Sequence, residues 1–444
     1  MKNLTEGNIY KNFMVFAIPI VLSGLLSQLY DVVDGIIAGK YLGETGLGAI
    51  GATSALITFF SSAFWGYGTG ASVLTATLFG SKDYRALKEN IYNNAMVIIC
   101  ATIAVSIISI IFRNLIFDLL RVDDAIRKDA LTYFLVYIGG FGFFMLSHYG
   151  ISVMHALGIS GYSLKMSVLS TIINISGNIL SVTVFDLGVL GIGIASVVAA
   201  LAVCVCYYFK LRKCFRELGV HKYRVKLSFG CVKKTFGFSL PVMVQQSVMY
   251  VTSILVAPIV NSIGSSATAA YSIAMRIYNI NAGVYQNSSK TLTNYTAQCV
   301  GAGKTGEIKK GIRVGLIQAL IFLAPFLIVS VGFAEKFCRV FFPSGFEGQA
   351  LDYCVTFAKF FLPFIVFNVI NNLFHSFFRG IKAMGHLVAF TAIGSVSRII
   401  ATFVLASYGM VGVYWAWVFS WIFESVALMI NIKGCFKTLY IINA

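Results

Sequence analysis

Residues 12–37 read NFMVFAIPIVLSGLLSQLYDVVDGII, an apolar run that is long enough to cross a lipid bilayer as a helix. Such a helix needs about 20 apolar residues. Eleven further runs follow, at 47–79, 91–117, 130–157, 164–186, 188–209, 236–260, 266–297, 311–333, 350–378, 385–407 and 409–432. They are too long for the alternating strands of roughly 10 residues in an outer-membrane barrel. The sequence therefore predicts an all-α polytopic membrane protein with twelve transmembrane helices.

The composition supports this fold class. Of the 444 residues, 58% are hydrophobic and 11% are charged, whereas a soluble domain carries roughly 25% charged residues. The net charge is +17, and most Lys and Arg fall on the two termini and the loops on their side of the membrane. By the positive-inside rule this side is cytoplasmic. The charge excess thus indicates topology in a plasma membrane, with both termini in the cytoplasm, rather than a nucleic-acid surface.

The longest linker, residues 210–234, reads KLRKCFRELGVHKYRVKLSFGCVKK and is strongly basic. It separates span six from span seven. One interpretation is a surface helix that lies on anionic lipid. The other, which we favour, is a cytosolic connector whose charge only fixes the topology.

The two halves of the chain repeat at an offset of 221–222 residues. Phe16-Ala-Ile-Pro19 aligns with Phe238-Ser-Leu-Pro241, Gly43 with Gly264, and Gly188-Val-Leu-Gly191 with Gly409-Met-Val-Gly412. Each copy holds six spans, so both enter the membrane in the same direction. This predicts two parallel six-helix lobes, 1–209 and 235–444, joined by the linker 210–234. A parallel repeat of this kind is typical of transporters that work by alternating access.

Three ordered motifs resemble those of the multidrug and toxic compound extrusion (MATE) family. Leu29-Tyr-Asp-Val-Val-Asp34 is similar to the LYNVVD motif of the first helix. The segment from Asn174 to Ser196 contains FDLGVLGIGIAS, similar to the pattern of helices five and six, and Gln298-Cys-Val-Gly-Ala-Gly-Lys304 resembles the turn after helix eight. The likeness runs from about residue 8 to 432. It implies a secondary antiporter that exports small organic solutes in exchange for inward H⁺ or Na⁺.

The resemblance also implies a coupling-ion site in the first lobe. Carried over by position, it comprises Asp34, Asn174, Asn178 and Ser196, and Asn178 stands where the family has an acid. Another branch of the family uses acids on helices seven and ten. Here those helices carry Gln245, Gln246 and several Asn instead, which argues against a second-lobe cation site of that kind.

Asp31 and Asp34 lie three residues apart and so share one helix face. Because two close carboxylates resist joint ionisation, the pair is a candidate proton or cation site. Asp31 alternatively pairs with a cation or caps a helix near the outer surface. Asn174 and Asn178 are one helical turn apart and either bind the ion or bond helix to helix. Loss of the helix-five acid favours a proton over Na⁺.

Polar stripes in the second half predict a substrate cavity. On span eight, Asn287, Lys290, Asn294 and Gln298 fall on one helix face; on span ten, Asn368, Asn372, His375 and Arg379 do the same. Such stripes face a wet cleft or other helices, not lipid. The predicted cavity residues are Gln245, Gln246, Arg276, Asn287, Lys290, Asn294, Asn368, Asn372 and His375. Arg398 and Glu424, on the last two spans, are expected to form a structural pair.

Two other functions remain as alternatives. A lipid-linked oligosaccharide flippase shares the two-lobe design but needs more embedded Arg. A membrane prenyltransferase would use Asp31-Val-Val-Asp34 for magnesium diphosphate, yet a second embedded acid cluster is absent from the sequence. The nine Cys are scattered without a CxxC pair, and there is no P-loop motif. We therefore expect no enzyme activity, no metal site and no cofactor besides the coupling ion, in a chain that acts as a monomer within the bilayer.

Overall fold

The computed structural model describes residues 1–119, 122–342, 345, 347–431 and 434, without the side chains of Asp31, Ala55 and Tyr250. Over these residues the chain forms fifteen α-helices and no β-strand. The helices are α1 (Ile9–Gly80), α2 (Tyr84–Ile111), α3 (Arg113–Leu119), α4 (Asp124–Gly139), α5 (Phe141–Ala156), α6 (Ser160–Thr183), α7 (Gly188–Glu217), α8 (Phe229–Ile263), α9 (Ser265–Gly301), α10 (Ile308–Gly332), α11 (Ala334–Arg339), α12 (Gln349–Thr356), α13 (Ile365–Gly380), α14 (Met384–Leu405) and α15 (Gly409–Ile430).

These helices account for the twelve predicted spans. In the described part of the chain, eight helical segments are long and apolar enough to cross a membrane, or nine if α4 and α5, bent by 52°, form one span. Two of the segments are double, because α1 is broken at Gly43 and the segment Met384–Ile430 contains the turn Ala406–Tyr408. The polar helix α9 is also long enough to cross. The predicted all-α fold class is confirmed.

The internal repeat is visible in the backbone. Gly43 and Gly264, which the repeat aligns, both have positive φ (68° and 138°) and both break a helix. Gly188 and Gly409, the next aligned pair, have φ of 56° and 67° where α7 and α15 begin. Glycine tolerates this region because it has no Cβ. The same turns therefore recur at the same offset in both halves.

The chain divides into two compact units. The first unit contains Met1–Asn3 and Leu22–Met243, and the second contains Leu4–Val21 and Val244–Ala444. Both divisions fall inside long helices, α1 and α8, whereas the sequence-based division places the lobes on either side of the linker 210–234. The final residues of the second predicted lobe, 435–444, lie outside the described residues.

In the first unit the basic linker packs against the start of α2. Helix α7 runs on to Glu217 and α8 begins at Phe229, so only the segment between them is a loop. The Lys88 ammonium, which is buried, donates to the carbonyls of Val220, His221 and Tyr223 at 3.0, 3.1 and 2.7 Å. Three carbonyl acceptors satisfy all three donors of the ammonium group.

Two further contacts hold the same loop. Asn93 Nδ2 donates to the Lys226 carbonyl at 3.1 Å, and its Oδ1 accepts the Ser228 N–H at 3.0 Å. The Tyr223 hydroxyl donates to the Glu89 carboxylate, and this bond raises the pKa of Tyr223. The linker is thus a connector fixed to α2, with irregular structure between the two helices.

Replacing Lys88 with Met should free this loop. A hydrogen bond to a charged group contributes about 1.5–3 kcal/mol, so we expect amide hydrogen exchange over residues 220–226 to rise by about tenfold or more. Hydrogen–deuterium exchange mass spectrometry measures this directly. Lys222→Met removes an exposed charge from the loop itself and should leave the exchange unchanged. Equal exchange in the two variants would contradict the role of Lys88.

Candidate functional site

Asp34 lies on α1 in the first unit, and its side chain is only 9% exposed. Its Oδ1 accepts a hydrogen bond from Asn178 Nδ2 on α6 at 2.6 Å. A carboxylate in the membrane is costly unless it is hydrogen-bonded. The amide of Asn178 supplies such a bond without a compensating charge. Asp34 is therefore a buried acid whose first partner is neutral.

A chain of polar bonds continues from this contact. Asn178 Nδ2 also lies 3.2 Å from Asn174 Oδ1, and Asn174 Nδ2 donates to Ser196 Oγ on α7 at 3.0 Å. Asn174 Nδ2 donates in addition to the Tyr30 hydroxyl at 2.9 Å. The structure thus brings the four side chains carried over from the resemblance, Asp34, Asn174, Asn178 and Ser196, into one cluster.

Close packing of α6 against α7 makes this cluster possible. A Cβ added at Gly177 would lie 2.8 Å from Ala195 Cβ, and one added at Gly191 would lie 2.5 Å from Ser181 Cβ. Small residues at such contacts let helix backbones approach closely. The approach brings Ser196 within hydrogen-bond distance of Asn174.

Sequence reasoning missed Tyr30. Its position four residues before Asp34 places it on the same face of α1. This spacing could have identified Tyr30 as a member of the cluster. Asp31, the other predicted coupling residue, lies outside the described side chains, so its role stays a prediction. Among the described residues, no group of three or more His, Cys, Asp or Glu is arranged to hold a metal ion.

One acceptor in the cluster is unused. Asn178 Oδ1 is buried and has no hydrogen-bond partner, although buried polar atoms are normally paired. It belongs to the same amide that donates to Asp34. A protonated Asp34, which has an O–H to donate, or a small cation would give this oxygen a partner. The cluster therefore has the acceptor that a proton-loaded or cation-loaded state requires.

The structure describes contacts for several of the predicted cavity residues. Lys290 and Arg276 on α9 are exposed, and Lys290 Nζ donates to Asn287 Oδ1 at 2.7 Å. Asn368 Nδ2 on α13 donates to the Tyr278 hydroxyl at 2.8 Å. The remaining predicted residues are buried or half-buried: Gln245, Gln246, Asn294, Asn372 and His375. Gln298, at the end of the same stripe, accepts the Leu4 N–H at 2.8 Å and thus has a structural contact.

The expected pair between Arg398 and Glu424 is wrong. Glu424 Oε1 instead lies 2.7 Å from His375 Nε2 on α13. The Arg398 guanidinium lies 4.3 Å from the centre of the Trp417 ring and donates to the Tyr271 hydroxyl. Cation–π stacking and one neutral acceptor therefore take the place of the carboxylate.

Comparison with known proteins identifies the family. The MatE family model matches residues 19–180 and 241–404, one segment in each half of the chain. The probable multidrug resistance protein YoeA of Bacillus subtilis is 22% identical over 347 residues, which cover 76% of this chain and 74% of that protein.

Solved structures agree in fold. The MATE transporter VcmN of Vibrio cholerae in its bent form has a TM-score of 0.89 at 16% identity, over 98% of each chain. A MOP superfamily transporter from Pyrococcus furiosus also has a TM-score of 0.89 at 16% identity, over 100% of this chain and 99% of that one. At this identity the likeness shows the fold alone. Because the family model covers more than half of the sequence, the chain belongs to the MatE family.

Proposed function

We propose that this protein is a secondary antiporter that exports small organic solutes across the plasma membrane in exchange for an inward proton. The observation that carries the proposal is the buried Asp34, bonded to one atom of the Asn178 amide and adjacent to that amide's unpaired oxygen. Relatives with names such as probable multidrug resistance protein support export of organic compounds. The chain would act as a monomer in the bilayer. The excess of Lys and Arg on the termini and on the loops of their side supports a cytoplasmic location for both termini.

Proton binding at Asp34 changes its hydrogen bonds in a defined way. When ionised, Asp34 only accepts, and Asn178 Nδ2 donates to it. When protonated, it also donates, and Asn178 Oδ1 is the nearby acceptor without a partner. The acid and the amide then form two antiparallel hydrogen bonds. The two protonation states therefore bind Asn178 differently, which is what a site that couples ion binding to conformation requires.

The charge of the cluster favours a proton over sodium. Asp34 is the acid among the described side chains of the cluster. Asn178, which donates to it, is neutral, and so are Asn174, Ser196 and Tyr30 further along the chain of bonds. A desolvated cation needs several oxygen ligands and charge compensation, whereas a proton needs one carboxylate oxygen. Proton coupling is therefore the first candidate, and sodium coupling is the alternative that the experiment separates.

The test is substrate transport in proteoliposomes with either an imposed pH gradient or an imposed sodium gradient. A drug-susceptibility panel in a host that lacks its own exporters supplies the substrates. We expect transport with the pH gradient and none above background with sodium alone. Transport driven only by the sodium gradient would refute proton coupling. If neither the pH gradient nor the sodium gradient drives transport above background, the antiport mechanism is refuted.

Lys290 should tune substrate preference. It is an exposed cation on a membrane helix, held by Asn287 at 2.7 Å, and it favours substrates with an acceptor or negative group. A hydrogen bond to a charged group contributes about 1.5–3 kcal/mol, so Lys290→Ala should change the apparent affinity for such substrates by about tenfold. The exposed Lys310 at the start of α10 is the control. An unchanged substrate range and affinity in Lys290→Ala would show that the stripe does not bind substrate.

A further inference from the structure

The last membrane helix, α15, carries a carboxylate that the proposed coupling site does not use. Glu424 is 7% exposed and lies in the second unit, whereas Asp34 lies in the first. Its Oε2 accepts a hydrogen bond from Asn371 Nδ2 at 3.2 Å. A Cβ added at Gly394 on α14 would lie 2.5 Å from the same oxygen, so the absence of a side chain there makes room for the carboxylate.

The other oxygen of Glu424 contacts a histidine. Oε1 lies 2.7 Å from Nε2 of His375, at the distance of an ion pair but without the in-line geometry of a hydrogen bond. Both side chains are buried. A buried acid next to a buried histidine can share a proton, because either group can hold it.

The second ring nitrogen of His375 faces an amide. Gln245 Nε2 on α8 lies 3.3 Å from Nδ1 and donates at 3.0 Å to Thr391 Oγ1. The orientation of this amide is fixed from its other end, because Arg379 donates to Gln245 Oε1 at 3.1 Å. With its nitrogen toward the ring, Gln245 donates to Nδ1, so Nδ1 carries no proton and Nε2 carries the one that faces Glu424.

We propose that His375 and Glu424 form a second proton-binding site, in the second unit, whose occupancy is transmitted to Arg379 through the amide of Gln245. The ligand is a single proton, which binds at His375 Nδ1, and the Glu424 carboxylate on the other side of the ring compensates its charge. This site goes beyond the proposed function, because it does not involve Asp34.

A proton at Nδ1 is incompatible with the present orientation of Gln245. The protonated ring would point an N–H at the amide nitrogen, which is also a donor. Rotation of the amide would restore a bond to the ring, but it would then turn the amide nitrogen toward the Arg379 guanidinium, which has no acceptor. Protonation of Nδ1 and the bond between Arg379 and Gln245 therefore exclude one another.

Other ionisable groups surround the pair. Arg379 lies on α13, the helix that carries His375. Arg398 lies on α14, and its guanidinium stacks on Trp417 of α15. Tyr278 and Tyr285 on α9 interact electrostatically with Glu424, and Lys290 on the same helix interacts with Arg379. The charged groups named on these neighbouring helices are thus positive, and the two tyrosine hydroxyls are neutral.

The test is nitrogen NMR of the full-length protein in lipid nanodiscs with ¹⁵N-labelled histidine. The chain contains five His, so His375→Gln identifies the signal of His375. Should that variant not fold, the signal is identified in the wild type by its through-space contact with ¹³C-labelled glutamate carboxyl carbon. The spectra are recorded between about pH 5 and about pH 8, the interval in which histidine sites ordinarily exchange protons.

In the wild type we expect the neutral ring with its proton on Nε2 at the alkaline end, and a change in protonation toward the acidic end. The same change should occur in Asp34→Asn. Glu424→Gln should move it to a different pH, whereas Ser420→Ala, one helical turn away with its hydroxyl bonded to its own helix at the Trp417 carbonyl, should not.

Three results would overturn the proposal: a proton on Nδ1 at the alkaline end, a His375 signal that does not respond to pH, or equal responses in wild type and Glu424→Gln. None of these measurements depends on transport. They therefore remain informative even if Asp34→Asn is found to transport normally and the proposed function fails.

Discussion

Replacing Asp34 with asparagine is expected to abolish proton-driven transport. The substitution preserves the size of the side chain and still offers Oδ1 to Asn178 Nδ2, which donates to it at 2.6 Å in the wild type. It removes the ability to exchange a proton. Without that exchange, the two hydrogen-bonding states of the Asn178 amide are no longer linked to the pH gradient. We expect uptake driven by an imposed pH gradient to fall by about tenfold or more, the scale of a typical coupling free energy.

The measurement is initial-rate transport in proteoliposomes, with substrate binding measured separately. A coupling role predicts that Asp34→Asn still binds substrate but no longer responds to the gradient. Asp124→Asn is the matched control. Asp124 is an exposed acid in the first turn of α4, so its substitution removes the same charge outside the cluster. Undiminished gradient-driven transport in Asp34→Asn would exclude this residue as the coupling acid.

Replacing Gly412 with alanine is expected to destabilise the second unit strongly. Gly412 lies in the first turn of α15, and a Cβ there would lie 1.8 Å from the Leu405 carbonyl oxygen at the end of α14. No side-chain rotation relieves a contact with backbone, so the two helices must separate. Overpacking of this kind costs about 3 kcal/mol. Thermal unfolding of purified protein, followed by helical circular dichroism, measures the loss.

Two other glycines provide graded controls. Gly191 aligns with Gly412 in the repeat, but a Cβ there would first meet the side chain of Ser181, at 2.5 Å. A side chain yields more readily than a carbonyl, so Gly191→Ala should destabilise less. Gly385 in α14 has nothing within 4 Å of its added Cβ, and Gly385→Ala should be neutral or stabilising by up to about 1 kcal/mol through helix propensity. An equal effect at all three positions would contradict the steric argument.

The fold could be predicted from the sequence because each membrane helix can be recognised from its own residues. In the bilayer, an apolar segment must form its backbone hydrogen bonds within its own helix. Each span can therefore be identified without knowledge of the neighbouring helices. The aligned glycines Gly43 and Gly264 likewise required only local information, since a positive φ is a property of one residue. The unit boundaries differ, because contacts between distant segments assign Leu4–Val21 to the second unit, and no local pattern encodes such contacts.

The candidate coupling cluster was predictable in part. Asp34, Asn174, Asn178 and Ser196 were named from their motifs, and the structure brings them together. Tyr30 was not named, since an aromatic residue on a membrane helix usually contacts lipid or another helix. What the sequence could not supply was the unpaired oxygen of Asn178, because pairing depends on the distances between α1, α6 and α7.

The sequence by itself determined that the protein lies in a membrane, and it also determined the twelve spans, the repeat and the family. These features depend on composition and on the order of residues along the chain. Only the tertiary structure decided the partner of each buried charge. Helix periodicity shows that Glu424 and Arg398 face inward, but it does not fix how each helix is rotated against the next. That rotation places His375, and not Arg398, against Glu424.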